Sequence, residues 1–223
     1  MKVTTDACLF GSLAPTLSSG EEEKKVLDIG TGTGLLSLMY AQKKPDAIID
    51  AIEIDKDSFE QAKENIESSP WGTRIKIFLG DVREFQFSFQ YDVIISNPPF
   101  YENELKSDDS KRNIALHGEK LSLDELLKVI RSNLSASGKF FLLLPYKRKE
   151  EIKEVFEKYQ VSLLQIILVR QSLKHDYFRM IIVGKRESQK LIETSFDEIS
   201  ILDQKQHYTK EFIELLKEYY LYL

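Results

Sequence analysis

Asn97-Pro98-Pro99-Phe100 sets an uncharged amide, two ring-locked residues and an aromatic side chain directly behind an apolar run, Tyr91 to Ser96, that reads as a buried strand. Residue types of this kind suit chemistry on a conjugated amino nitrogen, a weak nucleophile because its lone pair is drawn into the neighbouring π-system. The Asn97 side-chain oxygen and the Pro98 carbonyl can each accept one of its N–H bonds, pulling the nitrogen toward tetrahedral geometry and freeing the lone pair. Pro99 limits the loop to few conformations. Phe100 offers a face on which a planar group can stack. Asn97 is no strong base, so the proton leaves after the nitrogen has become cationic. Standing alone, the same four residues are equally a turn after a strand.

A second motif upstream breaks that tie. Val26-Leu27-Asp28-Ile29-Gly30-Thr31-Gly32-Thr33-Gly34 is a strand entering a glycine-rich turn, and Leu35 to Ala41 continues with helical periodicity. The turn has neither the G-x-G-x-x-G spacing of dinucleotide sites nor a Gly-Lys-Ser/Thr for a triphosphate. Asp28 would repel a pyrophosphate, so the expected ligand presents cationic or hydroxyl groups, and S-adenosylmethionine carries both an ammonium and a sulfonium. Glu53 stands nineteen residues after Gly34, at the end of the strand Ile48 to Ile52, where a carboxylate can accept from both hydroxyls of a ribose. Asp81 follows a further strand, Arg74 to Gly80; its carboxylate can accept from an adenine amino group while the Val82 backbone meets the ring edge. Any one of these acids is a solvated strand end. Three at successive strand ends describe a cofactor crevice, bordered by Asn97.

The elements that must position these residues alternate. Helical runs at Asp57 to Glu67, Leu121 to Leu134 and Arg148 to Tyr159 lie between strand-like runs, the last preceded by Phe140 to Leu144. Alternation of this kind predicts a mostly parallel sheet with helices on both faces. Ser122-Leu123-Asp124-Glu125 has capping-box spacing. Val161 to Val169 and Phe178 to Val183 have no long helix between them and read as a closing antiparallel pair. The stretch from Ser188 to Gln206 is acidic and lacks strong periodicity, and the ending around Phe212, Leu215, Leu216, Tyr219 and Tyr220 has helical spacing suited to core packing.

The 223 residues, 42% of them hydrophobic, suffice for one substantial α/β core, and no linker marks a second domain. No apolar run is long enough to span a membrane and no signal-peptide pattern opens the chain. The lone Cys8 excludes an internal disulfide and fits a small buried side chain in a reducing cytoplasm. His117 and His175 have no Cys or His partner at metal-ligand spacing, and the chemistry needs no metal.

In this order the motifs resemble the class I S-adenosylmethionine-dependent methyltransferases, and Asn97-Pro98-Pro99-Phe100 is similar to the motif of those that methylate conjugated nitrogens. Met1 to Asp6, Leu116-His117 ahead of Leu121-Ser122, and Tyr208-Thr209-Lys210-Glu211-Phe212 resemble the bacterial tRNA1(Val) adenine-N6 methyltransferases. Two places depart from that family: its pattern has a further segment before Met-Lys-Val, implying that this chain is trimmed or starts late, and it has Ala-Arg-His where Ala115-Leu116-His117 stands. The resemblance implies a single Rossmann-like α/β domain with a seven-stranded, mostly parallel sheet and an antiparallel edge strand. Residues 1–20 would lie over the cofactor site, with Thr5 and Asp6 folded across it, 21–187 would form the core, and 188–223 the acidic stretch and a final helix. By spacing alone, Thr5 and Asp6 are equally a helix cap. The implied cofactor is S-adenosyl-L-methionine. The implied substrate is tRNA, at the adenine just 3′ of the anticodon, and the implied location is the cytoplasm. A protein glutamine N5-methyltransferase, whose target is also a conjugated amide nitrogen, is the nearest alternative, although such enzymes usually carry a helical N-terminal domain. A non-catalytic S-adenosylmethionine-binding module is disfavoured by the intact Asn97 and both prolines.

Net charge is −5 and the sequence pI about 5.4, unlike the usual basic nucleic-acid binder. Cations nevertheless cluster: Arg170, Lys174, Arg179, Lys185 and Arg186 against Asp176 alone, Lys147-Arg148-Lys149 after a strand end, and Lys106, Lys111 and Arg112 after the Asn97 motif. Each cluster singly is a solvated face; together they can line a phosphate path.

Overall fold

The computed structural model describes residues 3–18, 24–98, 121–159, 161–186 and 193–222. Pro99, Phe100, Lys106, Lys111, Arg112, Leu116 and His117 lie outside these.

Among the described residues the apolar runs become eight strands of one sheet: β1 (Lys25–Ile29), β2 (Ile48–Glu53), β3 (Ile75–Leu79), β4 (Tyr91–Ser96), β5 (Leu134–Pro145), β6 (Ser162–Ser172), β7 (Tyr177–Lys185) and β8 (Ser195–Leu202). Their order is β3-β2-β1-β4-β5-β7-β6-β8. β1 to β5 are mutually parallel, as buried, near-continuous apolar strands joined by crossovers require. β7 is antiparallel to both neighbours, β5 and β6.

Two features differ from the sequence expectation. Among the described residues the sheet has eight strands, β8 taking the edge parallel to β6, and the antiparallel strand is internal because β7 inserts between β5 and β6. β8 falls within the acidic stretch; only Ile199 and Ile201 of its residues are buried, so as an outer strand it shows half an alternation.

Helices cover both faces. α1 (Thr5–Leu17), α2 (Leu35–Lys43) and α6 (Lys210–Leu216) pack on one, bringing Phe10, Tyr40, Phe212 and Leu216 onto Val93, Phe141 and Ile181. α4 (Leu123–Asn133) and α5 (Lys149–Tyr159) pack on the other, where Leu127, Ile130 and Phe156 meet Phe140 and Leu142. Each such fully buried aromatic or leucine contributes about 1.5–3 kcal/mol relative to exposure. α3 (Lys56–Glu67) lies beside β2 and β3 with Ala62 and Ile66 inward.

The α4 start is a complete capping box: Ser122 Oγ accepts from Glu125 N at 3.2 Å and Glu125 Oε2 accepts from Ser122 N at 2.9 Å. The Thr209 hydroxyl likewise caps α6 by accepting from Phe212 N at 3.2 Å. Cys8 is buried in α1. Among the described residues no helix is long and apolar enough to cross a membrane.

Candidate active site

The chain adds β2 and β3 on one side of β1, then returns to lay β4 and β5 on the other, so strand order reverses between β1 and β4. Open α/β sheets bind ligands outside the carboxyl ends of the strands at this reversal. Register decides which residues meet there. Ile29 pairs with Ile52 on one side and Ser96 on the other, and Glu53 pairs with Leu79. Gly30, Glu53 and Asn97 therefore emerge from three adjacent strand ends, at a strand spacing of ~4.8 Å. Gly80 follows on the fourth, its N–H donating to the Glu53 carbonyl at 2.9 Å.

The turn after β1 is possible because Gly30, Gly32 and Gly34 take φ of +68°, +60° and +83°, a region L side chains seldom enter. Gly30 N donates to Ile52 O at 2.9 Å, folding the turn toward β2, and Asn65 Nδ2 of α3 donates to Thr33 O at 2.9 Å. Among the described residues a Cβ on Gly30 would meet nothing within 4 Å, so they leave open space beside the backbone here.

Asp28, at the base of this turn, is completely buried. Its Oδ2 accepts from Thr31 Oγ1 at 2.6 Å and Ser37 Oγ at 2.7 Å, whereas Oδ1 is buried with no partner among the described residues. Burial raises the carboxyl to about 6, against the two hydroxyl hydrogen bonds that lower it. An unpaired buried acceptor and open space beside Gly30 suit a ligand that brings a cation or donor to the turn, and the residues thus fit S-adenosylmethionine.

The Asp28 shift has a stability consequence. Because the folded value lies above the unfolded one, the contribution is complete below about pH 4 and is lost as pH rises through about 6. Without ligand, the protein is expected to lose about 2 kcal/mol from this group between pH 4.5 and 8, the remainder having gone by pH 4.5 as the unfolded carboxyl ionises. Urea unfolding across that range should show the loss in the wild type and not in Asp28→Asn. Equal pH slopes in the two proteins would mean that Asp28 titrates as an ordinary carboxyl.

Glu53, also buried, ties the turn to the start of α3. Oε2 accepts from Gly32 N at 2.8 Å, and Oε1 accepts from Ile54 N and Asp55 N, both at 2.9 Å. A carboxylate offers about four lone-pair sites, so the described residues leave one acceptor position. Asp81 is gripped by Arg83, which the sequence reading passed over: Nε lies 2.9 Å from both carboxylate oxygens and Arg83 N 2.9 Å from Oδ1. The guanidinium holds the Asp81 carboxyl below the usual carboxylate range, and it also reaches Glu125 Oε1 at 3.1 Å, joining β3's end to the first turn of α4. An Arg two residues after a strand-end Asp is the signal that marked this pair. The Val82 side chain is buried in the core beneath.

Ser96 donates from Oγ to Ile29 O at 2.8 Å, fixing the end of β4 against β1. Asn97 follows half-buried and Pro98 buried. At the N-terminus, Thr4 stands at the N-cap position of α1 without a side-chain cap bond, and Thr5 and Asp6 are the helix's first two residues. Asp6 accepts from Arg179 Nε at 2.7 Å, and Arg179 pairs with Pro145 at the carboxyl end of β5, so α1 starts at the site's edge of the sheet. Burial opposes ionisation of Asp6, but hydrogen bonds from Thr4 and Arg179 outweigh it and the carboxyl lies below its ordinary value.

The cation cluster 170–186 is divided by the β6–β7 hairpin. Arg170, Lys174 and Arg179 stand on the site's edge, whereas Lys185 pairs with Lys139 and Ser162 at the opposite edge, carrying Arg186 with it. Arg148 forms an ion pair with Glu151, and His175 Nδ1 lies 2.9 Å from Ser172 Oγ.

Residues 10–164 match the family described as the methyltransferase small domain. A tRNA1(Val) (adenine(37)-N6)-methyltransferase from Flavobacterium johnsoniae is 36% identical over 223 residues, covering 99% of this chain and 93% of its own. Among solved structures, a predicted O-methyltransferase from Agrobacterium tumefaciens aligns with a TM-score of 0.73 at 17% identity over 95% of both chains. The glycopeptide N-methyltransferase MtfA in complex with S-adenosyl-L-methionine aligns with a TM-score of 0.57 at 10% identity, over 80% of this chain and 93% of that one. At such identities these two structures share the fold.

Proposed function

The chain belongs to the methyltransferase small-domain family, and on that premise we propose that it transfers a methyl group from S-adenosylmethionine to N6 of adenine 37 in tRNA1(Val). The reading is carried by one relative of that activity, alike along nearly the whole chain. The placement of Asn97 at the sheet's reversal point, beside the glycine turn, supports it.

Bound S-adenosylmethionine supplies an electrophilic methyl on a sulfonium. In this reading Asp28, Gly30, Thr31, Gly32 and Gly34 hold its amino-acid end, Glu53 its ribose, and Asp81 and Val82 its adenine, with Thr5 bordering the crevice. Asn97 Oδ1 and the Pro98 carbonyl accept the two N–H bonds of the target amine, Pro99 restricts the loop, and Phe100 stacks on the base. The target base must first leave its stack, as in other base-modifying enzymes. The chain works as one domain in the cytoplasm, where its tRNA resides.

Purified protein incubated with labelled S-adenosylmethionine should label an unmodified tRNA1(Val) transcript, with the label in N6-methyladenosine, and leave a glutamine-containing release-factor peptide unlabelled. Activity should fall steeply with salt as phosphate contacts are lost. Label in the peptide and not in the tRNA would replace this reading with the glutamine one.

A further inference from the structure

Tyr146 and Tyr177 form an aromatic pair at the site's edge of the sheet that the reading above leaves unused. Tyr146 follows the last residue of β5 and Tyr177 opens β7; their ring centroids are 5.3 Å apart at an interplanar angle of 61°. Since Ser96 pairs with Leu142, Asn97 is level with Leu143, and Pro145 lies two residues farther out on the adjacent strand. At ~3.3 Å per residue and ~4.8 Å between strands, Pro145, which directly precedes Tyr146, is roughly 8 Å from Asn97.

Each ring carries a cation. Lys149 Nζ lies 5.0 Å from the Tyr146 centroid and 3.4 Å from its hydroxyl. The Arg170 guanidinium lies 5.2 Å from the Tyr177 centroid and is itself held by Ser200 Oγ at 2.9 Å and Glu198 at 3.0 Å. Arg170 Nη1 also donates to the Tyr177 hydroxyl at 3.5 Å. Both rings remain half-exposed, with exposed Lys147 and Lys174 nearby.

A pair serving packing alone would be enclosed by apolar neighbours. Half-exposed rings, pre-positioned and interleaved with cations beside a reactive crevice, are the combination by which proteins hold unpaired nucleotides: bases stack on rings while phosphates meet Lys and Arg. Glu198 makes the β8 side unfavourable for phosphate, leaving the Lys147–Lys149 side for the backbone.

We propose that Tyr146 and Tyr177 are the stacking platform for an unpaired nucleotide next to the target adenine, with Lys149 facing its phosphate. This rests on the tRNA reading above.

The test uses the full chain, S-adenosylmethionine and an unmodified tRNA1(Val) transcript. Tyr146→Leu and Tyr177→Leu should each raise KM for the tRNA about tenfold or more, the scale of a lost base–aromatic stack. The S-adenosylmethionine Kd should stay within twofold, which also reports an intact fold, and Tyr146→Phe and Tyr177→Phe should keep KM near the wild type. In an anticodon stem-loop with 2-aminopurine beside the target adenine, fluorescence should be quenched by the wild type and by the Phe variants, not by the Leu variants. If either Leu variant fails to fold, ultraviolet crosslinking of the wild-type complex decides, and adducts are expected on Tyr146 or Tyr177. Normal tRNA methylation with unchanged KM in both Leu variants, or crosslinks confined to other segments, would overturn the platform and leave the proposed function standing. A wild type that methylates no tRNA would overturn both.

Discussion

Asn97→Ala is expected to lower kcat/KM for tRNA by roughly 10²–10³-fold or more, the range for losing a pre-positioned group that acts in the transition state. S-adenosylmethionine affinity should hardly change in calorimetry. The separation is expected because Asn97 sits beyond the fixed end of β4. Ser96 is fully buried and bonded to the Ile29 carbonyl, so truncating the next side chain leaves β1, β4 and the glycine turn in place. Asn97→Asp keeps an acceptor oxygen and should retain part of the activity. Methylation by Asn97→Ala at the wild-type rate would remove this residue from the chemistry.

Glu53→Ala should act twice. The free acceptor position of the carboxylate is lost to the ribose, weakening S-adenosylmethionine binding by about 1–3 kcal/mol. The same truncation strips the acceptor from the N–H groups of Gly32, Ile54 and Asp55, so the unliganded protein should also lose about 1–3 kcal/mol in urea unfolding. Glu53→Gln keeps one acceptor oxygen and should fall between on both measurements. Full affinity in a folded Glu53→Ala protein would place the ribose elsewhere.

The parallel half of the fold was legible because its central strands, β1 and β4, are buried on both faces and read as apolar runs; β4 has the bounds its sequence run suggests, Tyr91 to Ser96. The α4 start was legible because a capping box is local. The outer strand β8 was not, since a strand covered on one side leaves only Ile199 and Ile201 as a pattern. The antiparallel pair β6–β7 was legible, but the 170–186 cations were counted as one cluster, whereas the hairpin carries residues close in sequence to opposite edges of the sheet. Glu53 and Asp81 were legible as strand-end acids. What else those carboxylates hold, three backbone N–H groups and the Arg83 guanidinium, depends on turns that only the folded backbone specifies.

The insertion of β7 between β5 and β6 bears on how the chain can assemble as it is made. Among the described residues, β6 hydrogen-bonds only to β7 and β8, strands that follow it in sequence. A nascent chain ending at Ser172 has β1 to β5 able to pair but leaves one side of β5, with its run Phe140 to Pro145, as a bare apolar edge, and β6 with no place in the sheet. Unpaired apolar edges invite association between chains. Truncation between Ser172 and Tyr177 should therefore yield insoluble protein, although the glycine turn, Glu53, Asp81 and Asn97 would all have been synthesised. The crevice is laid down early, and residues 177–185 are the stretch on which its lasting burial waits.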